Sequence, residues 1–520
     1  RKNVTMRVDE EIFKDLFCQD NGSPNASIRV LVAMMVLKEA QGISDEKLYE
    51  DCRFNMLIRS ALGLINIDDE VPANSTYYAF RKRIQEHAKV NDENLLTKAF
   101  SDITKQQSAE FNVSGKRVRM DSKLLGSNIA WLSRYELVHE TLRLFYKEVK
   151  DSNQLSQELK EQLSEILKFE GNKVVYTHTN EEVKTKLHQL GVLIYQILPV
   201  FITCGLPLYD TLKRVFEEQF KVDENKQVVS REKETISTHS VQSPHDTDCH
   251  FRNKDGEKVK GYAINVTESC DENGLNLIGN VDVREVSTPD SAFFQDSIKK
   301  VETVFTEPVE NAHADGAYHS PGNQEFCKEK NIELYLHAIQ GAKGRYTFTF
   351  TDDGNLSVFD TITKNTLSAT KIINKNNDEK WRIPTEKGYR YFSQQEIETY
   401  FIRKKIEATP VEILQKRNNV EATIFQLGYH YPNNKSRYRG LIKHVMWANI
   451  RCLWVNFVRI FKFVTQKCQR TYFFIKKTIL ILFLMLKFTL ENNFQALLQK
   501  KLSVSEKYLF LLNSKNRVFG

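Results

Sequence analysis

The chain has 520 residues, 41% hydrophobic and 27% charged, a soluble globular composition too long for one ordinary core, so two to four domains or one with large insertions are expected. Its eight cysteines, Cys18, Cys52, Cys204, Cys249, Cys270, Cys327, Cys452 and Cys468, contain no CxxC pair, which argues against a zinc or disulfide framework and for reduced thiols inside a cell. The net charge of +7 is uneven: residues 431–520 hold 17 Lys or Arg against Glu491 and Glu506, a local +15 that leaves −8 for the rest. This basic end, interleaved with Tyr438, Trp447, Trp454 and Tyr472, is a candidate polyanion surface, although a solvated helical face reads the same way. The chain opens on Arg1 without a signal-peptide pattern, as a fragment missing its start would. The apolar run Thr478–Leu486 has nine residues between Lys477 and Lys487, too short to span a bilayer, and a buried helix is expected there.

In chain order, residues 1–110 read as a helical N-terminal domain. Ile28 to Glu39 is strongly apolar, Gly42 breaks it, and Ser44 is a plausible N-cap for the next helix. Asn74 or Ser75 would cap a further helix bearing Arg81, Lys82 and Arg83, a cluster able to reach DNA phosphates or to form an ordinary solvated face. Residues 111–130 form a strand region in which Val118 and Met120 alternate with Arg119 and Asp121. Asp121 is expected to end that strand, facing outward.

Residues 131–243 read as a helical insertion and linker, with one stripe at Leu155, Leu159, Leu163, Ile166 and Leu167 and another at Leu187, Leu190, Val192, Leu193 and Ile197. Its polar end, Lys221 to Ser243, reads as a linker or mobile segment. Residues 244–340 carry an α/β unit: a hairpin of Gly261–Cys270 and Leu275–Val286 turning at Asp271–Gly274, a helix over Pro289–Val304, and a strand running up to Asp315. Ser320 and Pro321 then start a helix, and Ile332–Leu336 is the next strand. Residues 341–405 read as a β insertion, residues 406–460 as a helix and the end of the α/β unit, and residues 461–520 as a basic helical tail. In the segment 406–460, Ile413, Val420, Ile424 and Leu427 would line one buried helical face, with Arg417 and Glu421 four apart on its flank. No internal repeat and no GxxxxGK[ST] string occurs, so a nucleotide cofactor has no support.

Three acids thus occupy distinct contexts: Asp121 on a first strand, Asp315 at the end of a later one, and Glu421 on a helix. Carboxylates are hard oxygen donors suited to magnesium or manganese, and two such ions could polarise a phosphodiester. At these residues the chain resembles the DDE transposases of bacterial insertion sequences. MDSKLLGSN matches the first acid at Asp121, HADGAYHSPGN the second at Asp315, and RNNVEATIFQLGYHYPNNKSRYRGL the third at Glu421. The segments NGSPNASIRVLVAMMVLKEAQGISDEKLYEDC and LGLINIDDEVPANSTYYAFRKRI are similar to the helical domain that precedes the catalytic core in this family.

The resemblance implies an α/β fold: a ribonuclease H-like mixed-sheet core with helical and β insertions, plus an all-helical N-terminal domain. It implies a metal-dependent enzyme in which Asp121, Asp315 and Glu421 hold two Mg2+ or Mn2+ ions, cleaving insertion-sequence ends and joining them to target DNA. Double-stranded DNA is the implied partner, with a homodimer on DNA, no membrane, and a cytoplasmic, nucleoid-associated location in a bacterium. In the relatives' Tyr-x2-Arg-x3-Glu-x6-Lys pattern, Arg417 and Glu421 fit, while Leu414 and Gly428 stand in place of Tyr and Lys. Lys435, Arg437 and Arg439 are expected to supply the missing DNA contacts beside Arg417 and the cluster Arg81, Lys82 and Arg83. Alternatives are a nuclease of the same core that cleaves without joining, and a catalytically inactive DNA-binding descendant.

Overall fold

In the computed structural model, residues 1–17, 26–254, 256–271, 274–339, 344–373, 379–386 and 388–469 are described, together with 479, 497–501 and 503. Cys18, Glu272 and Asn273 of the expected turn, and nearly all of the apolar run Thr478–Leu486, lie outside them. No described helix is long and apolar enough to cross a membrane. The chain divides into two units, Arg1–Phe457 and Val458–Gly520. In the second, residues 458–469 are helical.

In the first unit, helix α1 (Ile28–Gln41) is apolar on nearly every face, and a helix of that kind must be surrounded. Leu31, Val32, Met34 and Val36 are all buried. Gly42 ends it in the left-handed region at φ 66°, and the ring of His430 packs where a Cβ would sit. Ser44 caps α2 (Asp45–Phe54) by accepting from the Lys47 amide. After α3 (Met56–Leu62), helix α4 (Asn74–Asn91) starts from Ala73, so neither Asn74 nor Ser75 is its cap; both lie inside the first turn. Tyr77, Phe80 and Ile84 set that start by facing the core. Helix α5 (Leu95–Phe111) completes the helical N-terminal region.

Strand β1 (Arg117–Gly126) is longer than its sequence predicts, and Asp121 lies in its middle rather than at its end. The cause is a distant partner. The later strand Glu257–Ser269 pairs with β1 continuously from Val118 opposite Ser269 to Gly126 opposite Gly261. Asp121 is also turned inward, its side chain only 14% exposed.

Helices α6 (Arg134–Val149), α7 (Gln157–Ile166), α8 (Gly171–Thr177), α9 (Asn180–Ile197) and α10 (Pro207–Gln219) form the insertion around a core of their own. Its polar end is not a loose linker: β2 (Phe220–Val222) and β3 (Val228–Ser230) pair as a hairpin, and Val228 and Val241 are buried in that core.

The main sheet adds β4 (His250–Lys254), β5 (Glu257–Ser269) and β6 (Ile278–Glu285), then, after α11 (Phe294–Phe305), β7 (Asn311–Ala314) and, after α12 (Pro321–Glu329), β8 (Glu333–Leu336). Strand β5 is antiparallel to β1 on one edge and to β4 and β6 on the other, whereas β7 is parallel to β1 and β8 to β7. Across the sheet the order is therefore β6, β5, β1, β7, β8, with β1 central. Strands β9 (Tyr346–Phe350), β10 (Leu356–Asp360), β11 (Thr366–Ser368), β12 (Thr370–Ile373), β13 (Glu379–Thr385) and β14 (Gly388–Ser393) make two small sheets. Phe348, Trp381, Phe392 and Ile397, the last on α13 (Gln394–Ala408), form a separate core there.

Helix α14 (Val411–Leu414) stops at a single 3-10 turn before α15 (Asn418–Gly428), so Ile413 does not share a helix with Val420, Ile424 and Leu427. Beyond it, residues 441–457 are helical. One core then joins α1, α4 and α5 to β5, Leu427 and Leu453, so the N-terminal helices and the sheet are packed as one body across residue 110.

Within that body His444 is buried between the Tyr262 ring, 4.3 Å away, and Ser436, whose hydroxyl lies 2.7 Å from Nε2. Burial lowers its pKa below the ordinary histidine value. Below about pH 6.5 the unfolded chain binds a proton that the folded chain refuses, so stability falls as the medium is acidified. Urea unfolding at pH 7.5 and 5 should show the wild type losing stability, with roughly 2 kcal/mol of the loss absent in His444→Gln.

Candidate active site

Strands β1 and β7 lie side by side in parallel with Arg119 opposite His313, so two residues further on Asp121 comes beside Asp315 at the edge where β7 ends. The Asp315 carboxylate accepts the Gly316 amide at 2.7 Å. Gly316 is required there, because a Cβ would come within 1.6 Å of the Ala338 carbonyl oxygen. Helix α15 packs across β1 and brings Glu421 to the same place.

Arg417 joins the three acids. Its Nη2 lies 3.0 Å from Asp121 and 3.9 Å from Asp315, and its Nη1 3.2 Å from Glu421. The ion pair with Glu421 expected from their spacing is present, but Arg417 is buried and serves all three carboxylates. Its Nε has no hydrogen-bond partner among the described residues. Burial pushes the Asp121 carboxyl up; Arg417 and the Ser122 amide oppose this, while Asp315 and Glu421 reinforce it.

A second, fully buried pair holds α15 in position. Arg119 on β1 donates to Glu268 on β5 at 2.5 Å and to the Lys416 carbonyl at 3.2 Å. Glu268 in turn accepts the Thr423 hydroxyl at 2.8 Å. The stretch carrying Arg417 and Glu421 is thereby fastened on both sides, at Lys416 and Thr423. A signal for this frame was available in the sequence, since an arginine and a glutamate inside apolar strands call for partners.

The expected DNA contacts are dispersed. Arg417 is enclosed by the acids rather than displayed. Arg81 is paired with Asp45 at 3.2 Å, whereas Lys82 and Arg83 are exposed, Lys82 lying 3.5 Å from Glu86 and Arg83 over the Phe17 ring. Lys435, Arg437 and Arg439 are exposed, yet each also donates to a backbone carbonyl, of Ile129, Ile43 and Asn128 respectively. Residue 435 bridges Gly126 at the end of β1, so this segment fastens the edge of the sheet. Arg439 also borders a cleft of about 650 Å³ beside the insertion, with Trp131, Arg143 and Phe169.

Among the described residues, no three His, Cys, Asp or Glu side chains are close enough to hold an ion as they stand. The three carboxylates offer only hard oxygen donors, the set that magnesium or manganese takes, and their spacing here is the one a guanidinium imposes.

Residues 3–83 match the family model described as Transposase domain (DUF772), which supports a transposase and thus a DNA-processing enzyme. The match includes Arg81, Lys82 and Arg83 and stops before the first acid. No curated protein and no solved structure matches the chain.

Removing Arg119 alone would leave Glu268 charged and buried. Arg119→Met should destabilise the protein by about 3–5 kcal/mol in chemical denaturation, and Arg119→Met with Glu268→Leu should recover most of that loss.

Proposed function

We propose that this chain is a DDE transposase with a ribonuclease H-like core, cleaving insertion-sequence ends and transferring them into target DNA in a metal-dependent reaction. The observation that carries the reading is the convergence of Asp121, Asp315 and Glu421, from two neighbouring parallel strands and a helix, on one guanidinium. The strand order β6, β5, β1, β7, β8, antiparallel on one side of β1 and parallel on the other, supports the same reading. So does the transposase-domain match at residues 3–83.

In this mechanism Asp121, Asp315 and Glu421 would hold Mg2+ or Mn2+. Two such cations, when bound, would supply Lewis acidity for attack on a phosphodiester. Asp121 acts from a rigid central strand and Asp315 from a turn its glycine keeps tight, so both are positioned before DNA arrives. Glu421 is the adjustable member, its side chain 58% exposed on a helix fastened through Thr423. Arg417 offsets part of the acids' mutual repulsion and opposes the burial that raises Asp121, while competing with a cation for the same oxygens. The DNA partner is a duplex contacted through Lys82, Arg83, Lys435, Arg437 and Arg439, and synapsis of two ends calls for a homodimer on DNA in the nucleoid.

The decisive assay is magnesium-dependent cleavage of labelled DNA bearing the element's own end. Asp315→Asn should abolish cleavage and retain end binding; equal cleavage by both proteins would sink the assignment. Strand transfer from precut ends then separates a transposase from a nuclease that only cleaves.

Arg417→Gln removes the positive charge that competes for the carboxylates. Calorimetric titration with Mn2+ should give about tenfold tighter binding than wild type, the equivalent of roughly 1.4 kcal/mol. Unchanged affinity would place the ion away from these acids.

A further inference from the structure

The exposed side of α15 continues away from Glu421 in a way the acid site does not use. Phe425 and Tyr429 follow Glu421 at intervals of four, and are 65% and 68% exposed. Their centroids lie 6.2 Å apart with the planes at 72°, and the neighbouring surface positions Ala422 and Gln426 are small or polar. Two large rings in that setting leave π-faces open without forming a broad aliphatic patch.

A cation lies under the same helix. Lys123 is two residues beyond Asp121 on β1, hence on the same face of the sheet, and its ammonium reaches Gly428. A Cβ at residue 428 would lie 2.9 Å from Nζ, so the glycine leaves room for the lysine. Lys123 and Gly428 line a small cavity under α15 with Ile424 and Leu427.

The end of the helix is rigid. Arg451 donates to the carbonyls of Leu427 and Gln426, His430 lies 2.9 Å from the Ala40 carbonyl, and the Tyr431 hydroxyl is bonded to Glu39 at 2.9 Å. Tyr429 is thus held in place by its neighbours, its ring edge-to-face with that of His430 at 5.1 Å, and it remains largely exposed.

We propose that Phe425 and Tyr429 form a stacking platform for unpaired nucleotides adjoining the phosphodiester held at Asp121, Asp315 and Glu421, with Lys123 contacting a backbone phosphate. The inference rests on the nucleic-acid reading of the acid site. Stacking suits it because every base has a π-face, and the Lys123 ammonium at Gly428 of the same helix supplies the charge that a strand, unlike an apolar peptide, requires. The platform gives the enzyme a way to hold a frayed or cut end beside its carboxylates.

The test uses the full chain without divalent cations and fluorescence anisotropy on two labelled DNAs, a blunt duplex and the same duplex with a short single-stranded extension on either strand. Wild type should bind an extended DNA about tenfold more tightly than the blunt one, the range one stacked base gives. Phe425→Ala with Tyr429→Ala should erase that difference and leave blunt-duplex affinity unchanged, while Phe425→Tyr with Tyr429→Phe should keep it. Lys123→Met should weaken binding to the extended DNA and reduce the salt slope by about 0.7–0.9. Equal binding of the DNAs by wild type, or a preference that survives the double alanine variant, overturns the platform. A change in sedimentation of the double variant with its DNA preference intact would make this face a contact between copies and likewise overturn it. If wild type binds neither DNA, the nucleic-acid reading itself falls and the platform with it.

Discussion

Three carboxylates around one guanidinium cannot be a neutral arrangement, and much of the main body's construction serves to keep it assembled. Asp121 and Asp315 come from adjacent strands, Glu421 from a helix that has to be pressed against them, and Arg417 from the turn that opens that helix. Removed from the sheet, these groups would separate into water. Their proximity depends on the frame behind them, where Arg119 and Glu268 are buried as a pair and Thr423 completes the bonding. A buried pair of this kind adds little net stability compared with apolar packing, but it penalises every other placement of the helix.

The frame explains the division of labour along the chain. Strand β5 supplies Glu268 and also the long pairing that carries β1 past Asp121, while the segment after α15 returns to the end of β1 at Gly126. The insertion and the small sheets have cores of their own and leave the central sheet undisturbed. Residues far apart in sequence are thereby concentrated on one short stretch of β1.

Much of this could be read from local pattern. The all-round apolar character of Ile28–Glu39, the Ser44 cap, the turn and cap at Ser320–Pro321, and the strand leading to Asp315 depend on neighbours a few residues away. The mixed α/β character with a helical N-terminal region was legible in the same way. What escaped was set by distant partners: the continuation of β1 by β5, the inward turn of Asp121, and the packing of residues 221–243 into the insertion. The spacing of Arg417 and Glu421 disclosed one ion pair, but nothing local could disclose that the same arginine meets Asp121 across 296 residues.

Helix α1 contributes Glu39 to a buried meeting with Tyr431 and Tyr438, and its glycine stop receives the ring of His430. The first forty residues therefore form part of the wall against which the last acid-bearing helix is seated. Exchange of N-terminal regions between diverged relatives would carry half of this seam without the other half. Inheritance should then favour joint drift of the two segments, so that positions 39 and 42 change in step with 430, 431 and 438 rather than independently.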